Sequence, residues 1–177
     1  MKTCLLYGFL LALANFLITL ILFICGLHSD AAHLSLSHWV SGLSILILPI
    51  VFFVLGIKAR RDALPPEEGF GYGQAFGVGF GIQLFASLFV AVTTYAYAAF
   101  IDPHFTDVAL QAQADAMQAR GMSSEQIDRA QSMMHMFMSP VAQAVAACFI
   151  SLVMGVIILL IVAAFLRRPS ARDPLAI

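Results

Sequence analysis

The residues with the clearest coordination chemistry are Met133-Met134-His135-Met136-Phe137-Met138, with His104, Met117 and Met122 nearby in the chain. Thioether sulfur and imidazole nitrogen suit Cu(I), so His104, Met134, His135 and Met136 are the metal-ligand candidates. The competing reading is an adaptable apolar face against lipid or helix ends, and on that reading no metal is assigned. The other histidines are His28, His33 and His38. Imidazole titrates near ~pH 6.5, which raises the idea of a pH or metal sensor. Their spacing of five, however, does not stack side chains on one helix face.

The next feature is a run of glycines at Gly69, Gly71, Gly73, Gly77, Gly79 and Gly81. A dinucleotide fingerprint needs glycine at its first, third and sixth positions after a strand. Counting from Gly71 the sixth position is Phe76, and from Gly77 it is Ile82, so the match fails. Gly73, Gly77 and Gly81 are each four apart, which places them on one helix face. Small residues at that spacing let helix backbones approach closely, so these three are the candidate helix-packing residues. No zinc-protease, phosphate-loop or nucleophile-elbow pattern occurs. Asp102 and His104 are separated by Pro103, which favours a turn, and Ser123 and Ser124 are better used as helix caps.

What must position these residues follows from composition. The chain has 177 residues, of which 61% are apolar and 11% charged, and its mean hydropathy is +0.92. Soluble domains are roughly 45–50% apolar and ~25% charged. A soluble fold of this length could not bury that much apolar surface. This excludes a soluble enzyme, a nucleic-acid binder, a disordered tail and a secreted disulfide scaffold. Cys4, Cys25 and Cys148 all lie in apolar stretches and read as small hydrophobes.

Four apolar segments, about 3–27, 39–57, 74–101 and 141–166, each reach the ~20 residues a helix needs to cross a bilayer. The first is too long for the apolar core of a cleaved signal. The expected fold is therefore all-α, one polytopic membrane domain with four transmembrane helices. Lys2, Lys58, Arg60, Arg61, Arg167, Arg168 and Arg172 fall on one side, and only Arg120 and Arg129 on the other. Lysine and arginine are retained in the cytoplasm, so both termini are expected there, in a bacterial inner membrane.

Residues 104–138 are expected to form an external amphipathic hairpin. An alanine- and glutamine-rich helix at 106–120 has good propensity. Gly121 then fits a left-handed C′ position. Ser123 and Gln126 have capping-box spacing before a second helix at 124–138, and Pro140 opens the last span. Asp102, Asp107, Asp115, Glu125 and Asp128 outweigh Arg120 and Arg129, so the hairpin is acidic.

No Asp, Glu, Lys or Arg lies within a span, which disfavours a proton-coupled pump. The uncharged polar residues there are Asn15, Ser41, Ser44, Gln83, Ser87, Thr93, Thr94, Gln143 and Ser151. Hydrogen bonds between helices account for them.

Several stretches, taken in order, resemble a known family. They are Gly56-Ile57-Lys58 with Arg61-Asp62; Tyr72-Gly73-Gln74-Ala75-Phe76 with Gly79; Ile101-Asp102-Pro103 with Phe105; Arg120-Gly121-Met122-Ser123 with Glu125-Gln126-Ile127; and Phe137-Met138-Ser139-Pro140. Together they look like the bacterial membrane-protein family called domain of unknown function 4199, over nearly the whole chain. The resemblance implies a small four-helix membrane protein and carries over no catalytic or binding residues. Relatives are often richer in Lys and Glu in the outer hairpin, where this chain has Ala, Gln and Met.

The function expected from these readings is non-enzymatic: an accessory or structural protein that packs through the glycine face and offers its hairpin to a membrane-protein partner. The alternatives are a small permease or channel, or an external metal or pH sensor. Four helices alone are expected to enclose little space, so a permease would need a homo-oligomer. No cofactor and no nucleic acid is implied, and the lipid bilayer is the one certain surrounding.

Overall fold

The computed structural model describes residues 1–27, 34–65 and 68–168, apart from the side chains of 34, 105 and 135–137. His28 and His33 therefore lie outside the described residues, as do the side chains of His135 and Met136. The helices are α1 (Lys2–Ile24), α2 (Leu34–Asp62), α3 (Tyr72–Ala96), α4 (Phe105–Ala119), α5 (Ser124–Phe137) and α6 (Pro140–Leu166). Four of them, α1, α2, α3 and α6, are long and apolar enough to cross a membrane. A five-residue π turn, Tyr97–Ile101, extends α3.

The boundaries differ from the hydropathy reading where backbone chemistry overrides side-chain transfer. Leu34–Ser37 add a helical turn before the apolar run of α2 begins. At the end of α1, Gly26 takes φ +74, and its N–H reaches the Phe23 carbonyl at 2.9 Å. Leu27 N–H reaches Leu22 at 3.0 Å, which completes a Schellman stop. At the end of α3 the Asp102 N–H reaches back five residues to the Tyr97 carbonyl at 2.9 Å.

The spans form a four-helix bundle in which α3 packs on α1 and α6, and α2 closes the ring against the same two helices. The half of the bundle nearer the start of α1 and the end of α6 is tightly filled. Phe53 and Ile57 of α2, Ile82 of α3, and Leu159 and Ala163 of α6 are all fully buried there. Arg168 ties this end shut. Its backbone pairs with Phe70 in both directions at 2.8 Å, and its Nη2 donates to the Pro65 and Glu68 carbonyls at 2.9 Å each.

Close backbone approach in this half depends on glycines other than those picked by spacing. A Cβ at Gly8 would meet the Ile82 carbonyl at 2.7 Å and the Ala86 nitrogen at 3.0 Å. At Gly56 it would strike Ile82, and at Gly79 it would strike Leu159. Gly73 and Gly77 face open space instead, and Gly81 meets only Cys4, at 3.0 Å to its sulfur. The packing assignment of Gly73 and Gly77 is thus corrected within the chain. A four-residue spacing tells which residues share a face, but not whether a neighbour lies over it.

These contacts set an expectation for stability. Gly8→Ala places a methyl against backbone that cannot rotate away, at a cost of about 1–3 kcal/mol. Gly77→Ala enters open space and removes a flexible helical residue, so it is neutral or stabilising by up to ~1 kcal/mol. Denaturation in mixed detergent micelles should separate the two variants in opposite directions.

Candidate functional site

The half of the bundle nearer the hairpin is built differently. There α1, α2, α3 and α6 surround a cavity of ≈390 Å³, within the range of ~300–1,000 Å³ for small-molecule sites. Its apolar wall includes Leu11, Phe16, Ala86, Val90 and Met154, and its polar wall draws on every one of the four helices. Asn15 and Thr19 come from α1, and Ser37, His38, Ser41 and Ser44 from α2. Gln83, Thr93 and Thr94 come from α3, Tyr97 from the π turn, and Gln143 and Ser151 from α6. Among the described residues no Asp, Glu, Lys or Arg lines it.

All the uncharged polar residues noted within the spans, except Ser87, therefore converge on one space. They are not simply interhelical glue. Thr19 donates to the Asn15 carbonyl at 3.1 Å, Ser44 to Ser41 at 2.8 Å and Thr93 to Phe89 at 3.0 Å. Such back-bonding to the same helix uses the hydroxyl hydrogen and leaves oxygen lone pairs. Bonds between helices also occur. Gln83 Nε2 donates to the Ser151 carbonyl at 2.8 Å and its Oγ at 3.1 Å, and Asn15 Oδ1, 3.4 Å from Ser44 Oγ, is an alternative acceptor across the helices for the one Ser44 hydrogen. Gln83 is 1% exposed, and its Oε1 has no partner among the described residues.

Gly155 makes room for that glutamine, since a Cβ there would collide with the Gln83 carboxamide. At the other end of the cavity, Gln143 Nε2 donates to the Met138 carbonyl at 2.7 Å and to Thr106 Oγ1 at 3.1 Å. This bond joins α6 to the start of α4. Tyr97 donates to Asp102 Oδ2 at 3.2 Å, across the turn where α3 ends.

The hairpin follows its local signals. Gly121 takes φ +77, and Met122 N–H reaches the Met117 carbonyl at 3.2 Å. Ser123 N–H donates to Gln126 Oε1 at 3.0 Å, and Gln126 N–H to Ser123 Oγ at 3.4 Å, which is the reciprocal capping box. Ser139 caps α6 by accepting from Ala142 N–H at 3.3 Å, with Pro140 in the first turn. Of the metal candidates, His104 is exposed with Nδ1 3.8 Å from Asp107 Oδ2, and Met134 is half-buried on α5. Among the described residues no three or more His, Cys, Asp or Glu gather as a metal site.

Sequence reasoning identified most polar residues of the cavity, but it missed Thr19, Ser37 and Tyr97, and it did not find the cavity. The signal it could have used is their position: apart from Gln83 and Ser87, they sit in the span halves that face the hairpin. The expectation that four helices enclose little space is corrected too. Small side chains on α6, Ala147, Ser151 and Gly155, leave a volume that larger ones would fill.

By fold and site this is a multi-pass helical membrane protein with an uncharged polar cavity inside its bundle. The chain belongs to the family described as protein of unknown function, DUF4199, whose model it matches over residues 6–168. No curated protein matches it, and no solved structure does.

The Gln83–Gly155 contact is testable. Gly155→Ala should lower stability by about 1–3 kcal/mol through overpacking. Adding Gln83→Ala should recover part of that loss, a non-additivity of at least ~0.5 kcal/mol in a double-mutant cycle.

Proposed function

We propose that this protein is a non-enzymatic, multi-pass protein of the bacterial inner membrane, both termini cytoplasmic, that holds a small uncharged molecule in its bundle. The observation that carries the proposal is the cavity, lined by uncharged polar groups from four helices and by apolar walls. A charged ligand would sit there without a counter-charge, which is costly in a low-dielectric site. The packed side chains of Phe53, Ile57, Ile82 and Leu159 lie between the cavity and the terminal end. That favours a holder or receptor over a pore through one chain.

The orientation rests on the basic ends of α2 and α6, with Arg60, Arg61, Arg167 and Arg168 at the end of the bundle where α1 begins. Impermeant thiol labelling of single-cysteine variants at Gln113 and Arg167 checks it. Gln113 should react in intact spheroplasts, and Arg167 only after lysis.

A second reading keeps the accessory role. The hairpin helices pack on each other and make little contact with the bundle, so their acidic surface is free to meet a membrane-protein partner. Native mass spectrometry from lipid nanodiscs separates the readings. A neutral adduct of a few hundred daltons that disappears in Ala147→Phe and in Val90→Trp supports the holder. A stoichiometric second chain without any adduct favours the accessory role.

A further inference from the structure

We infer that the occupant of the cavity is an uncharged, hydroxyl-bearing amphiphile that reaches it sideways from the bilayer, between α2 and α6. The inference rests on the reading that the cavity holds an uncharged molecule, and it adds the ligand class and the route.

The class follows from which hydrogen-bonding capacity is left over. Most amide hydrogens of the cavity are engaged within the protein, both of those on Gln83 and on Gln143 and one of the two on Asn15. Gln83 Nε2 serves Ser151, Gln143 Nε2 serves Met138 and Thr106, and Asn15 Nδ2 donates to the Leu11 carbonyl at 3.5 Å. The hydroxyl hydrogens of Thr19, Ser44 and Thr93 go to carbonyls of their own helices. What these groups keep is acceptor capacity, and the buried Gln83 keeps a carbonyl oxygen with no partner among the described residues. Pro49 lies within α2 and has no N–H, so the Ile45 carbonyl lacks its helical donor. Both residues line the cavity. A lining rich in acceptors matches a ligand that donates. Among uncharged groups, an alcohol donates a hydrogen bond, whereas an ether or an ester cannot.

The route follows from the rim. Ile45 of α2 and Ile150 of α6 line the cavity, yet are 39% and 56% exposed. On each of these two helices, then, an apolar side chain borders both the cavity and the outer surface. Both residues lie inside segments long and apolar enough to span a membrane. An opening at that depth meets acyl chains. A head group seated among the hydroxyls can leave a hydrocarbon tail in the lipid, so ≈390 Å³ need only accommodate the head.

Three photoactivatable probes test the inference on the full chain in phosphatidylcholine nanodiscs: a C16 diazirine alcohol, its methyl ether, and a C4 diazirine alcohol added from water. Labelled residues are located by peptide mass spectrometry. The expected result is labelling of 41–49 and 147–154 by the C16 alcohol, about tenfold above the ether, as one hydrogen-bonded donor allows. Thr93→Val with Ser44→Ala should lower labelling by the alcohol toward the ether level with an unchanged thermal midpoint, the Gln83 and Ile45 carbonyls being left in place.

Equal labelling by alcohol and ether overturns the donor class. Cavity labelling by the C4 alcohol alone overturns the lateral route. Both of those results leave the holder reading standing. Failure of all three probes to label the cavity overturns the inference and the holder reading together.

Discussion

Lipid tails are as apolar as leucine, so no hydrophobic force presses one membrane helix on another. Association depends on how closely backbones can approach. In this protein that condition is met along α3. Gly8 of α1 sets its backbone against Ile82 and Ala86, Gly79 of α3 receives Leu159, and Gly155 of α6 receives Gln83. Gly56 brings α2 against Ile82 as well. The packed half of the bundle is the consequence of these approaches, and the Arg168 tie to Phe70, Pro65 and Glu68 seals its end.

The polar half is the consequence of what lies beyond them. Past Gln83, the inward residues of α3 include Val90, Thr93 and Thr94, and α6 offers Ala147 and Ser151. Polar groups in hydrocarbon are expensive unless satisfied. Here Thr19, Ser44 and Thr93 are satisfied by their own helices, so the cavity need not close to pair them. The same economy leaves unpaired acceptors facing one space. A packed floor and an acceptor-rich chamber are therefore two results of one arrangement of small residues. Gly155 and Gln83 form the joint between them.

Much of the fold was legible because its causes are local. The hairpin stop at Gly121, the Ser123–Gln126 box and the Ser139–Pro140 start of α6 each need only a few neighbouring residues, and each forms as the spacing predicts. The apolar lengths likewise identify four spans. The spacing at 73, 77 and 81 did not say which neighbour lies over that face, because spacing is a property of one helix. Packing belongs to two, and only Gly81 finds another helix, through Cys4. Gly8, Gly56 and Gly155 stand without glycine partners at that interval, so no pattern within one segment marked them.

By itself the sequence determined that this is an all-helical chain with four spans and an acidic hairpin. Length and apolarity decide whether a helix is at home in a bilayer, and both are read one segment at a time. Only the tertiary structure decided what the polar residues do. Asn15, Ser44, Gln83, Thr93 and Ser151 are far apart in the chain and become one surface only when four helices close around them. That closure depends on which glycine meets which neighbour at ångström range. It is a relation between segments, and no single segment contains it.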